Sequence, residues 1–137
     1  MPTRGKIVTQ YVKLWTRDVF DLKDKQGLVV RRCKDLQHPG VYILYRDDHP
    51  YYIGKTRRTL FNRLHDHANK STDTYFNFWN YFSAFVVPDA SHLNEVEGIL
   101  IASLPTANRA VPNLTEIKMP PELRKLLKSG KAERNST

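Results

Sequence analysis

Two short apolar runs, Gly40-Val41-Tyr42-Ile43-Leu44-Tyr45 and Tyr51-Tyr52-Ile53-Gly54, flank the polar stretch Arg46-Asp47-Asp48-His49-Pro50. β-Branched and aromatic runs bounded by turn residues define strands, and two so close in sequence define an antiparallel hairpin. A symmetric turn sets residue 45 opposite 51, 44 opposite 52 and 42 opposite 54. Side chains alternate between faces, so Tyr42 and Tyr52 emerge on one face as diagonal neighbours. Gly54, opposite Tyr42, has no side chain and leaves space there for another backbone or a ligand. Taken alone, the pattern also fits two tyrosines that simply pack against a helix.

Two helices and a third strand come after the hairpin. From Thr59, an N-cap residue, Leu60, Leu64 and Ala68 mark one face of a helix ending near Asn69. Tyr81 to Val87 reads as a third strand, broken by Pro88-Asp89-Ala90-Ser91. Leu93, Val96, Leu100 and Leu104 define a second helix, closed by Pro105. The expected fold class is α/β: a small three-stranded antiparallel sheet flanked by helices. Residues 1–39 read as an N-terminal extension, partly helical, with Val8, Tyr11, Val12, Trp15, Val19 and Leu22 at helical spacing and Gly27 as a stop. Leu28 to Val30 comes next as a short strand. Residues 40–113 form the central module and residues 114–137 a basic C-terminal tail. Within that tail, Pro120-Pro121 start a short helix through Leu127, and Lys128 to Thr137 read as disordered.

Composition narrows the function classes. A chain of 137 residues with 40% hydrophobic content makes one domain, and six Phe, seven Tyr and two Trp are enough to fill its core. No apolar run approaches the roughly 18 residues of a membrane span, and Met1 to Gln10 lacks the apolar centre of a secretion signal. An intracellular protein, cytoplasmic or nucleoid-associated, with no membrane partner is therefore expected. A single cysteine, Cys33, excludes an intramolecular disulfide and a Cys-rich zinc module. Lys and Arg number 22 against 14 Asp and Glu, a net charge of +8, which favours an anionic partner, nucleic acid first. The candidates for grip are Arg57-Arg58, Arg31-Arg32-Cys33-Lys34, and the tail residues Lys125, Lys128, Lys131 and Arg134; each is equally a solvated surface. The aromatic run Tyr75, Phe76, Phe78, Trp79 reads as core rather than as a base-stacking platform.

Helical phase then sorts the polar residues. Arg63 and His67 lie one turn apart and flank the Leu60–Leu64 stripe, where a guanidinium is suited to two-point phosphate binding. His65 and His67 point to different sides, which argues against a two-histidine metal site in His65-Asp66-His67. With Leu93 as zero, Val96, Leu100 and Leu104 fall within about 60°, Glu97 at about 40° and Glu95 at about 200°. Glu95 therefore faces water. Glu97 lies on the apolar stripe, where a carboxylate needs a cation or strong hydrogen bonds. It is a candidate divalent-metal ligand; the alternative is a salt bridge to Lys55 or Arg63.

These residues together resemble the signature of the GIY-YIG nuclease family: Gly40-Val41-Tyr42, Tyr52-Ile53-Gly54, Lys55, Arg63, His67, Glu97 and Asn108. The likeness runs from Gly40 to about Asn113, with Val41 standing where the motif usually has Ile. It implies that Tyr42 and Tyr52 match the two motif tyrosines and that Lys55 matches the lysine after the second. Arg63 matches the arginine of the first helix, and His67 falls where members carry His or Tyr. Glu97 matches the metal-binding glutamate. Asn108 matches the asparagine that closes the site after Pro105-Thr106-Ala107, in a stretch about one residue shorter than in the repair nucleases of the family. Gly98, directly after Glu97, lowers helix stability and marks a close-packing position.

The resemblance implies a metal-dependent endonuclease acting on DNA, with one divalent ion, Mg²⁺ or Mn²⁺, held by Glu97 and waters. Arg63 would neutralise charge on the phosphorus, and a tyrosine would act as general base on the attacking water. Tyr42 is the preferred base, with Tyr52 assisting or binding phosphate. A free phenol titrates near about 10, so it needs positive charge close by, and Lys55 and the metal are the available sources. The alternative is a catalytically inactive nucleic-acid-binding module with the same fold. A purely structural domain would explain neither the charge nor Glu97.

Overall fold

A computed structural model of the chain describes residues 5–73, 78–106 and 114–129. In chain order the elements are β1 (Gln10–Thr16), β2 (Lys23–Asp24), β3 (Gly27–Leu28), β4 (Gly40–Arg46), β5 (His49–Thr56), α1 (Leu60–Asn69), β6 (Tyr81–Val86), α2 (Leu93–Ser103) and α3 (Pro121–Ser129), with short 3-10 turns between several of them. The main sheet is antiparallel with strand order β1-β6-β4-β5, and β2-β3 is a separate two-stranded ladder.

The hairpin has the register read from the sequence over its core: Tyr42 pairs with Gly54, Ile43 with Ile53 and Leu44 with Tyr52. It departs at the turn, where an irregularity after Leu44 sets Tyr45 opposite Pro50 rather than Tyr51. Asp47 there adopts a left-handed conformation (φ 57°), which suits a two-residue turn and which Asp tolerates. The expected space beside Gly54 is filled by the chain itself. A Cβ at Gly54 would collide with the ring and hydroxyl of Tyr42, so the missing side chain admits Tyr42, not a ligand.

Alternation divides the core in two. Tyr42, Leu44, Phe82, Ala84 and Val86 face α1, where Leu60, Phe61, Leu64 and Ala68 cover them together with Phe20, Leu36 and Trp79. Val41, Ile43, Ile53, Val87 and Leu93 form the opposite layer under α2, flanked by Val96, Leu100 and Leu104. Each fully buried Leu or Ile in these layers contributes about 1.5–3 kcal/mol of transfer free energy. Thr59 caps α1 as its sequence requires, its side chain accepting from the Asn62 amide at 3.1 Å. The segment before β4 fastens both neighbours, since the Leu60 amide donates to the His38 carbonyl and the Val87 amide to that of Pro39, each at 2.9 Å.

The N-terminal extension is not helical where helix is expected. Gln10–Thr16 is a strand, paired with β6, and it gives the sheet a fourth strand rather than three. The spacing misleads for a physical reason. The ladder shifts between Val12 and Trp15, with Leu14 left-handed (φ 53°) and its amide bonded to Ser83 Oγ at 3.1 Å. An extra residue in a strand puts positions three apart on one face, the spacing that also marks a helix. Val12 and Trp15 thus both reach the α1 side, Trp15 edge-on to Phe82 with ring centres 6.1 Å apart. Gly27 likewise ends no helix. It turns the β2–β3 ladder with φ 99°, and Val29–Arg32 is a 3-10 turn rather than the continuation of a strand. Pro121–Ser129 is helical through Ser129; the rest of the expected disordered tail lies outside the described residues.

Gly40 is the tightest point in this packing: a Cβ there would meet the Phe85 carbonyl oxygen and the Leu60 side chain. Backbone on one side cannot yield as a flexible side chain does. Gly40→Ala is expected to lower unfolding free energy by about 1–3 kcal/mol, the usual cost of overpacking, as read from urea denaturation midpoints.

Candidate active site

Tyr42 is buried to its hydroxyl, and polar side chains converge on that end of it. Arg63 Nε donates to Tyr42 Oη at 3.2 Å, and His67 Nε2 lies 2.8 Å from the same oxygen. The far side of the imidazole meets Asp73, Nδ1 to Oδ1 at 2.8 Å. Tyr52 lies beside them, its ring centre 6.3 Å from that of Tyr42 and 6.0 Å from that of His67. Helical spacing creates the cluster: Arg63 and His67, one turn apart on α1, bracket the phenol that β4 projects over Gly54. Burial, with the neighbouring Tyr52 hydroxyl, pushes the Tyr42 phenol well above its ordinary value. Tyr42 is therefore protonated at neutral pH in spite of Arg63. Burial also lowers His67, against the pull of Asp73.

A second group sits on the other face of β5. Lys55 Nζ is 3.1 Å from Glu97 Oε1 and 2.5 Å from Asn94 Oδ1, joining the hairpin to α2. Helical phase separates the two glutamates of α2, since Glu95 is exposed and the Glu97 side chain is only 17% exposed. Among the described strands β5 stands last in the sheet, beside β4, with the Tyr42 group on one face of the hairpin and the Glu97 group on the other. Among the described residues no three His, Cys, Asp or Glu side chains could hold a metal ion together. One carboxylate does fit a hard divalent cation that keeps most of its waters, and Asn94 offers a second oxygen one turn away on α2. The cation that occupies those oxygens here is the Lys55 ammonium.

Residues 38–103 match the model of the GIY-YIG catalytic domain. Among solved structures, the chain is 34% identical to the GIY-YIG N-terminal endonuclease domain of UvrC from Thermotoga maritima bound to its catalytic divalent cation, magnesium. That match covers 52% of this chain and 85% of the other, with a TM-score of 0.43. The chain belongs to the GIY-YIG family. A point mutant of the same Thermotoga maritima domain with asparagine changed to alanine, also bound to its catalytic divalent cation, is 34% identical over 52% of this chain and 84% of that one (TM-score 0.43). A tyrosine-to-phenylalanine mutant matches at 30% over 61% and 94% (TM-score 0.44). A comparison with curated proteins gives no match.

The family signature is thus distributed unevenly in space. Tyr42, Tyr52, Arg63 and His67 come together, and Lys55 and Glu97 form a separate pair. The sequence offers Lys55 both as a cation for the phenol and as a salt-bridge partner of Glu97; side-chain alternation turns it to α2, so the salt bridge forms and Arg63 is the cation at Tyr42. Asn108, Tyr75, Phe76, Lys131 and Arg134 lie outside the described residues. Arg57 and Arg58 are exposed between β5 and α1, and Lys125 and Lys128 are exposed on α3. Arg32 is partly used by the fold, bonding Asp24 at 2.5 Å and Gln26 at 2.6 Å. Trp79 is core, whereas Phe78 is exposed and lies against Tyr51 with ring centres 4.0 Å apart. Two residues of the site carry no mark in the family signature. Asp73, six residues past His67 in an irregular turn, leaves no periodic signal. Asn94, one turn before Glu97 on the same helix, does leave one.

The depressed basicity of His67 has a consequence for stability. Unfolded, the ring takes up a proton as pH falls through about 6.5; folded, it holds out to lower pH. The unfolded chain then binds more protons in that window, so His67 leaves stability intact above it and lowers stability as pH falls through it. Denaturation midpoints at about pH 8 and about pH 5 should differ more for the wild type than for His67→Gln.

Proposed function

We propose that this chain is a metal-dependent endonuclease that hydrolyses phosphodiester bonds in DNA. The observation that carries this reading is the Tyr42 hydroxyl held between the Arg63 guanidinium and the His67 imidazole. A phenol so placed can orient a water and take its proton, and the guanidinium beside it meets the charge that grows on phosphate oxygens in the transition state. Tyr52 stands next to that centre to bind phosphate or assist. Glu97, with Lys55 at its side, would hold Mg²⁺ or Mn²⁺, which when bound polarises the phosphate and stabilises the departing 3′ oxygen. Lys55 must leave Glu97 for that to happen, and once released it is a cation free to face phosphate at the β5 edge.

Residues 40–113 would be the catalytic module, with Asn108 closing the site as the resemblance implies. Arg57 and Arg58, exposed beside the site, and Lys125 and Lys128 on α3 would hold the DNA backbone. The +8 charge suits that polyanion, and such contacts add affinity and salt dependence rather than rate. A nuclease of DNA would work inside the cell, where that substrate is found. No described helix is long and apolar enough to cross a membrane.

The test is cleavage of supercoiled and linear DNA with Mg²⁺, with Mn²⁺ and with chelator. Arg63→Ala should cut the single-turnover rate at saturating DNA by about two to three orders of magnitude with binding retained. Lysine at that position should rescue only partly, because an ammonium lacks the planar two-point contact. Glu97→Gln should abolish metal-dependent cleavage and leave affinity equal or slightly higher, while Glu95→Gln changes neither. A wild-type chain that binds DNA but cleaves none with either ion is instead an inactive binding module.

A further inference from the structure

The polar line through the α1 side of the site includes Asp73, a residue outside the family signature. Asp73 and His67 are both withdrawn from water, their side chains 9% and 1% exposed, and they meet at 2.8 Å. An ionised carboxylate only accepts hydrogen bonds, so the ring proton of neutral His67 belongs on Nδ1. Nε2 then carries the bare electron pair, and the hydrogen bond between it and Tyr42 has one direction: the phenol donates. Arg63 Nε donates to the same phenol oxygen. The Trp79 indole, donating to the His67 carbonyl at 3.3 Å, secures the backbone from which the ring projects.

We propose that Asp73 is a positioning residue that fixes the His67 tautomer, so that the proton taken from the attacking water travels through Tyr42 to His67. The step rests on the proposed nuclease activity, and its atoms and electrons balance. The water oxygen forms its bond to phosphorus while its proton passes to Tyr42 Oη. The Tyr42 O–H proton moves to the Nε2 electron pair, giving an imidazolium beside the Asp73 carboxylate. The phosphorus–3′-oxygen bond breaks, the departing oxygen acquires a proton from solvent, and His67 later returns its proton to solvent. Tyr42 never has to exist as a free phenolate, which its burial forbids at neutral pH. Among the described residues the titratable groups around His67 are Tyr42 and Tyr52 from the hairpin, Arg63 and Asp66 from its own helix, and Asp73 from the turn. Of these, Asp73 is the carboxylate bonded to the ring, at Nδ1, where an acceptor favours the Nδ1–H tautomer.

Nitrogen-15 NMR of the histidine rings in the wild-type protein, without DNA or metal, reads the tautomer directly, with His67 assigned by its loss in His67→Gln. The expected signal is Nδ1–H; an Nε2–H ring overturns the proposal, and this measurement stands even if substitution at Asp73 unfolds the chain. Asp73→Asn should shift the ring toward Nε2–H and slow single-turnover cleavage at saturating DNA by about 10²–10⁴-fold with affinity unchanged. Loss of the carboxylate also makes His67 harder to protonate, so the acid limb of the residual rate should move to lower pH. In a His67→Gln background the same change should cost nothing further. An Asp73→Asn variant that keeps both the rate and the acid limb overturns the proposal. A wild type with the Nδ1–H ring that cleaves no DNA overturns the nuclease reading and the proton path with it, but not the hold of Asp73 on the ring.

Discussion

The pairing of Tyr42 with Gly54 across the β4–β5 ladder is the constraint on which the site depends. Opposite residues in an antiparallel pair project to the same face and compete for the same volume. Any side chain at position 54 would displace the Tyr42 ring, and with it the oxygen that Arg63 and His67 both reach. The glycine is thus less a flexible joint than a slot cut to the width of a phenol. Packing and chemistry are here one requirement, because the atoms that seat the ring against the sheet also aim its hydroxyl.

The second organising fact is that this happens on the last of the described strands in the sheet. Inside a sheet, the two faces are separated by neighbouring strands, and groups on opposite faces cannot share a substrate. Among the described strands β5 pairs with β4 alone, and Arg63 stands on one face of that hairpin and Lys55 on the other. The two halves also differ in character. In the Tyr42 half the phenol and the His67 ring are buried and Arg63 is half-buried, whereas in the Lys55–Glu97 half Lys55 is 40% exposed. The proposed proton path and the proposed cation site call for those opposite properties.

Much of this was legible in the chain, and the limits were physical. The register from Tyr42 to Leu44, the Thr59 cap and the phases of Glu95 and Glu97 come from periods of two and 3.6, which local sequence records faithfully. Where the period breaks, the reading fails: the irregularity in β1 spaced Val12 and Trp15 like a helix. Lys55 forms the salt bridge to Glu97 that helical phase allows, but it does not reach the phenol, because proximity in sequence to Tyr52 says nothing about the opposite face it occupies. Asp73 was invisible because it contributes through a turn, and turns carry chemistry without pattern.

The strand that the spacing disguised also protects the protein. β6 has β4 on one side and β1 on the other, so the N-terminal residues take up hydrogen-bonding groups that would otherwise form an open sheet border. The family match begins only at residue 38, and a fragment cut to that limit would lose β1 entirely. It would present the border of β6, with Phe82 stripped of Trp15 and Phe85 of Tyr11, to any second copy in solution. Unpaired strands flanked by bare aromatic rings recruit one another into aggregates. Residues 10–16, remote from every group discussed as chemical, therefore govern whether the catalytic segment can be handled as a monodisperse protein at all.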